Sequence, residues 1–251
     1  MNTCIVVPHY DHLEQFRRFL PKLAAAGLPI IVVDDASSGS TVEALGAALD
    51  ELPVETRLVR HSINSGKGGA VITGLRTARD AGFTHALQID ADGQHDCAHI
   101  DSFLKASAER RNSVICGEPV FDDSISSLRY YGRFITLLFV RIETLSREIH
   151  DAMCGFRLYP LESITAVIER SRLARRMAFD PELLVRAVWG GIPLHYIPVD
   201  VIYPEDGKSH FHYWRDNVEI SWMHARLLIG MVLRLPLLLK RKITRRGAQR
   251  T

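Results

Sequence analysis

A chain of 251 residues, 47% hydrophobic and 24% charged, is long enough for one large domain and has ordinary globular composition. Those values exclude a disordered chain and a multispanning membrane protein, while a formal net charge of +2 says little about partners. Four widely separated cysteines without C-x-x-C spacing, and an opening without a signal-peptide pattern, predict a reducing, cytosolic setting.

The run 3–7 (TCIVV) reads as a buried strand leading into Pro8-His9-Tyr10-Asp11, where the tyrosine ring either stacks on a nucleobase or is structural. Leu13, Phe16, Leu20 and Leu23 then recur at helical spacing. The strand 29–33 (PIIVV) ends on Asp34-Asp35-Ala36-Ser37, whose carboxylates can accept from a ribose hydroxyl or a base N–H, or else only form a turn and cap the next helix. Val42, Leu45 and Leu49 mark that helix, and 54–59 (VETRLV) a third strand. In Asn64-Ser65-Gly66-Lys67-Gly68-Gly69-Ala70 the glycines permit close backbone approach and Lys67 can meet a phosphate near a helix N-terminus; a tight strand-to-helix turn is the alternative. The Walker spacing is absent and no G-x-G-x-x-G follows the first strand, which argues against an NTPase and a dinucleotide-dependent dehydrogenase. Val71, Leu75 and Ala78 continue as a helix.

The strand 84–89 (THALQI) runs directly into Asp90-Ala91-Asp92-Gly93-Gln94-His95. Two carboxylates two residues apart at a strand's carboxyl end can share one Mg²⁺ or Mn²⁺, with Gln94 as a further oxygen ligand. Held against a diphosphate, such a metal offsets the charge that grows on a leaving nucleotide. An isolated D-x-D is often just an acidic turn; its place after a buried strand favours the metal. His95, Cys97 and His99 match no zinc spacing.

After the strand 113–116 the pattern loosens. A helical stretch near 125–149 carries Arg129 and Arg133 on one face, suited either to an anionic acceptor or to solvent. Asp151 precedes a Cys154-Gly155-Phe156-Arg157 turn, and Phe179-Asp180-Pro181-Glu182 opens a helix near 180–190; Asp151 and Asp180 can act as bases, caps or ion-pair partners. A strand near 194–202 and the polar loop Gly207-Lys208-Ser209-His210, of the kind that closes over a substrate, complete this half. Leu227 to Leu239 is apolar but broken by Gly230, Arg234 and Pro236, and covers only about 20 Å of an about 30 Å hydrocarbon layer, too short to span. Extended back to Val218 it reads as an amphipathic helix that lies on a membrane or packs on the domain. Lys240, Arg241, Lys242, Arg245, Arg246 and Arg250 then crowd the tail, as contacts for anionic lipid.

Alternating strands and helices predict an α/β fold: a mostly parallel sheet flanked by helices, with ligands gathered outside the strands' carboxyl ends and a C-terminal amphipathic helix. The ordered set P-H-Y-D, V-V-D-D-A-S-S, N-S-G-K-G-G-A, D-A-D-G-Q-H, D-A-M-C-G-F-R, F-D-P-E and G-K-S-H-F resembles glycosyltransferase family 2, nearest the dolichyl-phosphate mannose or glucose synthase-like group. The resemblance covers most of 3–215 and implies a GT-A fold, a UDP- or GDP-sugar donor, Mg²⁺ or Mn²⁺, and inversion at the anomeric carbon. It implies a nucleotide site at Pro8, Tyr10, Asp34, Asp35, Lys67 and Asp90, a metal and diphosphate site at Asp90, Asp92 and Gln94, and acceptor or diphosphate contacts at Arg129, Arg133, Arg157 and Ser209. The chain departs from the family at Asp11-His12, where Asn-Glu is usual, and at Cys97, where Pro is usual.

The domain division that follows is a GT-A domain over 1–215, split into a nucleotide-sugar half (1–117) and an acceptor half (118–215), with 216–251 as helix and basic tail. Catalysis is expected to rest on Asp151, Asp180 and Arg157. If the acceptor is a lipid phosphate its oxygen is already anionic and Asp151 orients; if it is a hydroxyl, Asp151 or Asp180 must deprotonate it. The expected partners are the nucleotide sugar, a lipid or polyprenyl-phosphate-like acceptor and the inner membrane face, with no nucleic acid. The rivals are a nucleotidyltransferase, disfavoured by the P-H-Y-D opening, and a non-catalytic membrane-docked scaffold, disfavoured by the intact Asp90–Asp92 pair.

Overall fold

The computed structural model describes residues 1–120, 127–201 and 213–248, with side chains over 1–120, 131–201 and 214–244. Its first half alternates β1 (Thr3–His9), α1 (Leu13–Ala24), β2 (Ile30–Asp34), α2 (Gly39–Asp50), β3 (Thr56–Arg60), α3 (Lys67–Asp80) and β4 (His85–Gln88). A 3-10 turn (Cys97–His99), α4 (Ile100–Glu109) and β5 (Val114–Val120) follow, then α5 (Ser127–Thr144), β6 (Arg157–Pro160), α6 (Leu161–Glu169), α7 (Phe179–Gly190), β7 (Leu194–Asp200) and α8 (Tyr213–Ala248).

The seven strands form one sheet in the order β3-β2-β1-β4-β6-β5-β7, in which only β6 runs antiparallel to its neighbours. The continuous apolar strands are buried on both faces, as expected of a covered parallel sheet. Along β1, Cys4 and Val6 point to the side covered by α3, α6 and α7, while Ile5 and Val7 point to the side of α1, α2 and α4. The helical faces read from spacing are the buried ones: Phe16, Leu20 and Leu23 on α1, and Val71, Leu75 and Ala78 on α3.

Close approach of α3 to the sheet requires a glycine. A Cβ at Gly74 would lie 2.3 Å from Cγ1 of Val6, in a rigid part of the core. We expect Gly74→Ala to cost about 1–3 kcal/mol by overpacking, read as a lowered denaturation midpoint with unchanged m-value.

Two elements differ from the sequence reading. The C-G-F-R stretch is not only a turn, because Arg157 starts β6 and α6 follows it at once. β6 escapes pattern reading because a charged residue sits where its buried face begins; Arg157 is 1% exposed, its guanidinium donating to the carbonyls of Asp180 (2.9 Å) and Ala152 (2.8 Å).

The C-terminal segment is one continuous 36-residue helix, about 54 Å long at 1.5 Å per residue. The expectation that it is too short and too interrupted is corrected: Pro236 and Gly230 lie inside the helix, and Trp214–Thr244 is long and apolar enough to cross a membrane by length and composition. Yet Met223, Leu227 and Leu238 are buried in the domain core, so on that face α8 packs against protein. His224 stacks on Phe139 of α5 and bonds Glu143 at 2.7 Å, tying the two helices together.

Candidate active site

A cavity of about 430 Å³ opens at the carboxyl ends of β1, β2 and β4. Pro8, His9 and Tyr10 line it from β1, Asp35 from β2, Asp90 to Asp92 from β4, and Gly66 and Lys67 from the start of α3. Arg176, Met177, Arg215 and Asp216 also line it. This is where ligands collect in open α/β sheets.

At its floor Lys67 Nζ lies 2.8 Å from Asp90 Oδ2 and 3.0 Å from Asp180 Oδ2. Burial would lower the Lys67 pKa, but Asp180 and Asp90 outweigh it and hold the ammonium charged. Burial would likewise raise Asp90, but the Lys67 charge and hydrogen bond keep it below the ordinary carboxylate range. A side chain at Gly155 would displace this cluster: its Cβ would come within 2.7 Å of Lys67 Nζ and 2.8 Å of Asp90 Oδ2.

Asp92 is in the opposite state. Burial first, and the neighbouring Asp90 charge second, raise its pKa to about 6. Its Oδ1 accepts the Gln94 N–H at 3.0 Å, while among the described residues the buried Asp90 Oδ1 has no hydrogen-bond partner. Two carboxylates with an unpartnered oxygen and mutual repulsion fit a divalent cation. No third acidic, His or Cys side chain completes a cluster among the described residues, so further oxygen ligands would come from the Gln94 amide, substrate or water.

Asp34 and Asp35 sit deeper than a contact role implies. Asp34 is fully buried, bonded to His9 Nδ1 (3.1 Å) and the Ser37 N–H (3.1 Å), and is not among the lining residues. Asp35 does line the cavity, but its carboxylate accepts the N–H groups of Ser65 and Gly66 (each 2.7 Å) and bonds His61 (2.8 Å). It thereby pins the glycine loop, where Gly66 has φ +83° and a Cβ would strike the Arg175 carbonyl at 2.5 Å.

Asp151 is also committed: its Oδ1 accepts from Met153 N, Cys154 N and Arg133 Nη2, and its Oδ2 from Arg133 Nε. Arg133 is thus joined to Asp151 in a two-pronged pair. Arg157 stands behind the site, holding the Asp180 carbonyl, and does not line the cavity. Burial lowers the pKa of His95 to about 4, and its Nε2 lies 4.0 Å from Cys154 Sγ. Ser209 and the side chain of Arg129 lie outside the described residues. Sequence reading missed Arg176, Arg215 and Asp216; the only signal for Arg176 was its place just before F-D-P-E.

Residues 4–167 match the profile of Glycosyl transferase family 2, about two thirds of the chain. The chain belongs to glycosyl transferase family 2. A dolichyl-phosphate beta-glucosyltransferase of Dictyostelium discoideum is 26% identical over 216 residues, covering 78% of this chain and 65% of that protein. An undecaprenyl-phosphate mannosyltransferase of Micrococcus luteus is 24% identical over 214 residues, covering 83% and 87%. Within the family the chain falls in the dolichyl- and polyprenyl-phosphate sugar synthase-like group. The GT-A fold is shared with the glucosyl-3-phosphoglycerate synthase of Mycobacterium tuberculosis crystallised with Mn²⁺, UDP-glucose and phosphoglyceric acid (TM-score 0.62, 14% identity, 92% of this chain and 78% of that one).

Proposed function

We propose that this family 2 enzyme is an inverting glycosyltransferase that moves a sugar from a nucleoside-diphosphate sugar to a polyprenyl- or dolichyl-phosphate acceptor at a membrane surface. The observation that carries the reading is the single cavity in which Asp90, Asp92 and Lys67 meet at the strands' carboxyl ends. Asp90 and Asp92 would hold Mg²⁺ or Mn²⁺, which would offset charge on the leaving diphosphate. The named relatives act on lipid phosphates, and the M. tuberculosis neighbour is described with Mn²⁺ and a UDP-sugar, which supports both halves.

The acidic side chains point the same way. Asp151 is paired with Arg133 and Asp180 with Lys67, so neither is placed as a strong base. An acceptor that arrives ionised needs none: its phosphate oxygen attacks the anomeric carbon, the sugar's bond to the diphosphate breaks on the opposite face, and the electron pair leaves with the nucleotide. Lys67 fixes Asp90 and Asp180 while this happens.

Delivery from a membrane is supported by α8. Opposite its buried face it exposes Trp214, Val218, Trp222, Ile229, Val232, Leu233 and Ile243, with Trp214 79% and Leu233 76% exposed. This apolar stripe begins beside Arg215 and Asp216 at the cavity wall. On α5, packed alongside, Tyr131, Phe134, Ile135, Leu138 and Ile142 are exposed too. Of the basic tail, Arg241 turns inward and donates to the Trp189 carbonyl at 2.7 Å, leaving Lys240 and Lys242 for anionic headgroups. We expect Trp222→Glu with Leu233→Glu to weaken binding to anionic vesicles by at least about tenfold, since each removes buried apolar contact, with nucleotide binding unchanged. Equal vesicle binding by the variant overturns the docking surface.

The test of the function is release of nucleoside diphosphate from a panel of UDP- and GDP-sugars, with membrane lipid extract, with and without Mn²⁺. Metal-dependent release coupled to a glycolipid product is expected. Nucleotide binding without release from any donor favours the non-catalytic scaffold.

A further inference from the structure

Among the charged residues that line the cavity, Arg176 is set apart. Lys67 is shared by Asp90 and Asp180, Asp35 caps the glycine loop, and Arg215 Nε faces Asp216 at 3.4 Å. Arg176 has no carboxylate or carbonyl partner among the described residues, yet it is half-buried at the cavity wall. Its stem is not free to wander. A Cβ at Gly66 would lie 2.6 Å from Arg176 Cγ, so the side chain lies directly on the glycine loop. The backbone is anchored on both sides, by Gly69 N–H to the Arg175 carbonyl (3.0 Å) and Phe179 N–H to the Arg176 carbonyl (3.1 Å). A guanidinium so fixed beside the N-terminus of α3, where backbone N–H groups and the helix dipole favour anions, is prepared for a ligand that the protein does not supply.

We propose that Arg176 is a phosphate-binding residue of this cavity, its guanidinium meeting phosphoryl oxygens of the substrate. The assignment rests on the reading of the cavity as a nucleotide-sugar site and adds to it the residue that holds the phosphate. Those oxygens belong either to the donor's diphosphate or to the lipid phosphate of the acceptor.

Arg176→Met keeps the stem that packs on Gly66 and removes the charge; Arg176→Lys keeps the charge without the fork. Calorimetric titration in Mn²⁺ with inorganic pyrophosphate, UDP, GDP, uridine and guanosine, together with donor and acceptor KM values, reads the effect. Arg176→Met is expected to weaken pyrophosphate and nucleoside diphosphate binding by about tenfold or more, as for loss of a charge-assisted hydrogen bond. Nucleoside binding should change less than twofold, and Arg176→Lys should fall between. A tenfold rise confined to the KM for polyprenyl phosphate, with diphosphate binding intact, supports the assignment and places the phosphate on the acceptor. Pyrophosphate binding that depends on Arg176 in a protein that transfers no sugar would sink the transferase reading and leave this one standing. Changes below twofold in every phosphate measurement overturn it, as does an equal loss of nucleoside binding.

Discussion

Asp92→Ala is expected to lower metal-dependent release of nucleoside diphosphate by about a hundredfold or more without lowering the melting temperature. The rate effect follows from losing a carboxylate proposed to hold the divalent cation, whose positive charge would offset that of the leaving diphosphate; one such electrostatic contribution is worth about 10²–10³ in rate. The stability term follows from what Asp92 does for the fold, which is little. Its carboxylate accepts backbone N–H groups of its own turn, that of Gln94 at 3.0 Å, and burial first and the Asp90 charge second raise its pKa to about 6. Alanine relieves that repulsion, so the melting temperature should hold or rise, the pattern of a residue kept for activity. Asp90→Ala separates the two roles, because it also strips Lys67 of one of its two carboxylates and should lose stability as well as rate. Chelation should abolish wild-type turnover and Mn²⁺ restore it, with no response in Asp92→Ala. A variant keeping more than a tenth of wild-type turnover under saturating metal sinks the role given to this carboxylate.

What sequence could reveal tracks how local each feature is. β1, β2 and β4 declared themselves because both faces of each are buried and their centres are apolar, Cys4 to Val7 in β1, Ile30 to Val33 in β2 and Ala86 with Leu87 in β4. The D-A-D-G-Q-H turn was legible because both carboxylates come from one strand end. β6 was not, since its four residues start with an arginine whose charge is satisfied by the carbonyls of Asp180 and Ala152, brought there only by the fold. The same holds for the floor of the cavity: Lys67, Asp90 and Asp180 come from three elements with no spacing rule between them. Asp34 and Asp35 show the limit from the other side. Their position after a strand was legible, but spacing could not tell that Asp34 is buried against His9 and the Ser37 N–H, or that Asp35 lines the cavity while bonding the backbone of the glycine loop. Arg176 was invisible for a different reason, being one of several arginines in the stretch 170–176 and distinguished only by which wall it lines.

Gly155→Ala should cost about a hundredfold in kcat while shifting the melting temperature little, and it tests whether the Lys67–Asp90–Asp180 cluster is the working part of the cavity. The added methyl would sit 2.7 Å from Lys67 Nζ and 2.8 Å from Asp90 Oδ2, so both groups must move by several tenths of an ångström. Both atoms are the far ends of side chains 22% exposed, which can swing at small cost, unlike Val6 beneath Gly74. Catalysis is less forgiving, because a displacement near 1 Å of a positioning group costs about 10²-fold. Gly74→Ala and Gly155→Ala therefore make a contrasting pair: the first loses stability and keeps turnover per folded molecule, the second the reverse. If Gly155→Ala instead keeps full turnover, the cluster is structural and the chemistry lies elsewhere in the cavity. Gly155 leaves room beside Lys67 and Asp90 while Arg157 holds the Asp180 carbonyl and pairs through β6 with β4, so one short segment borders all three members of the cluster.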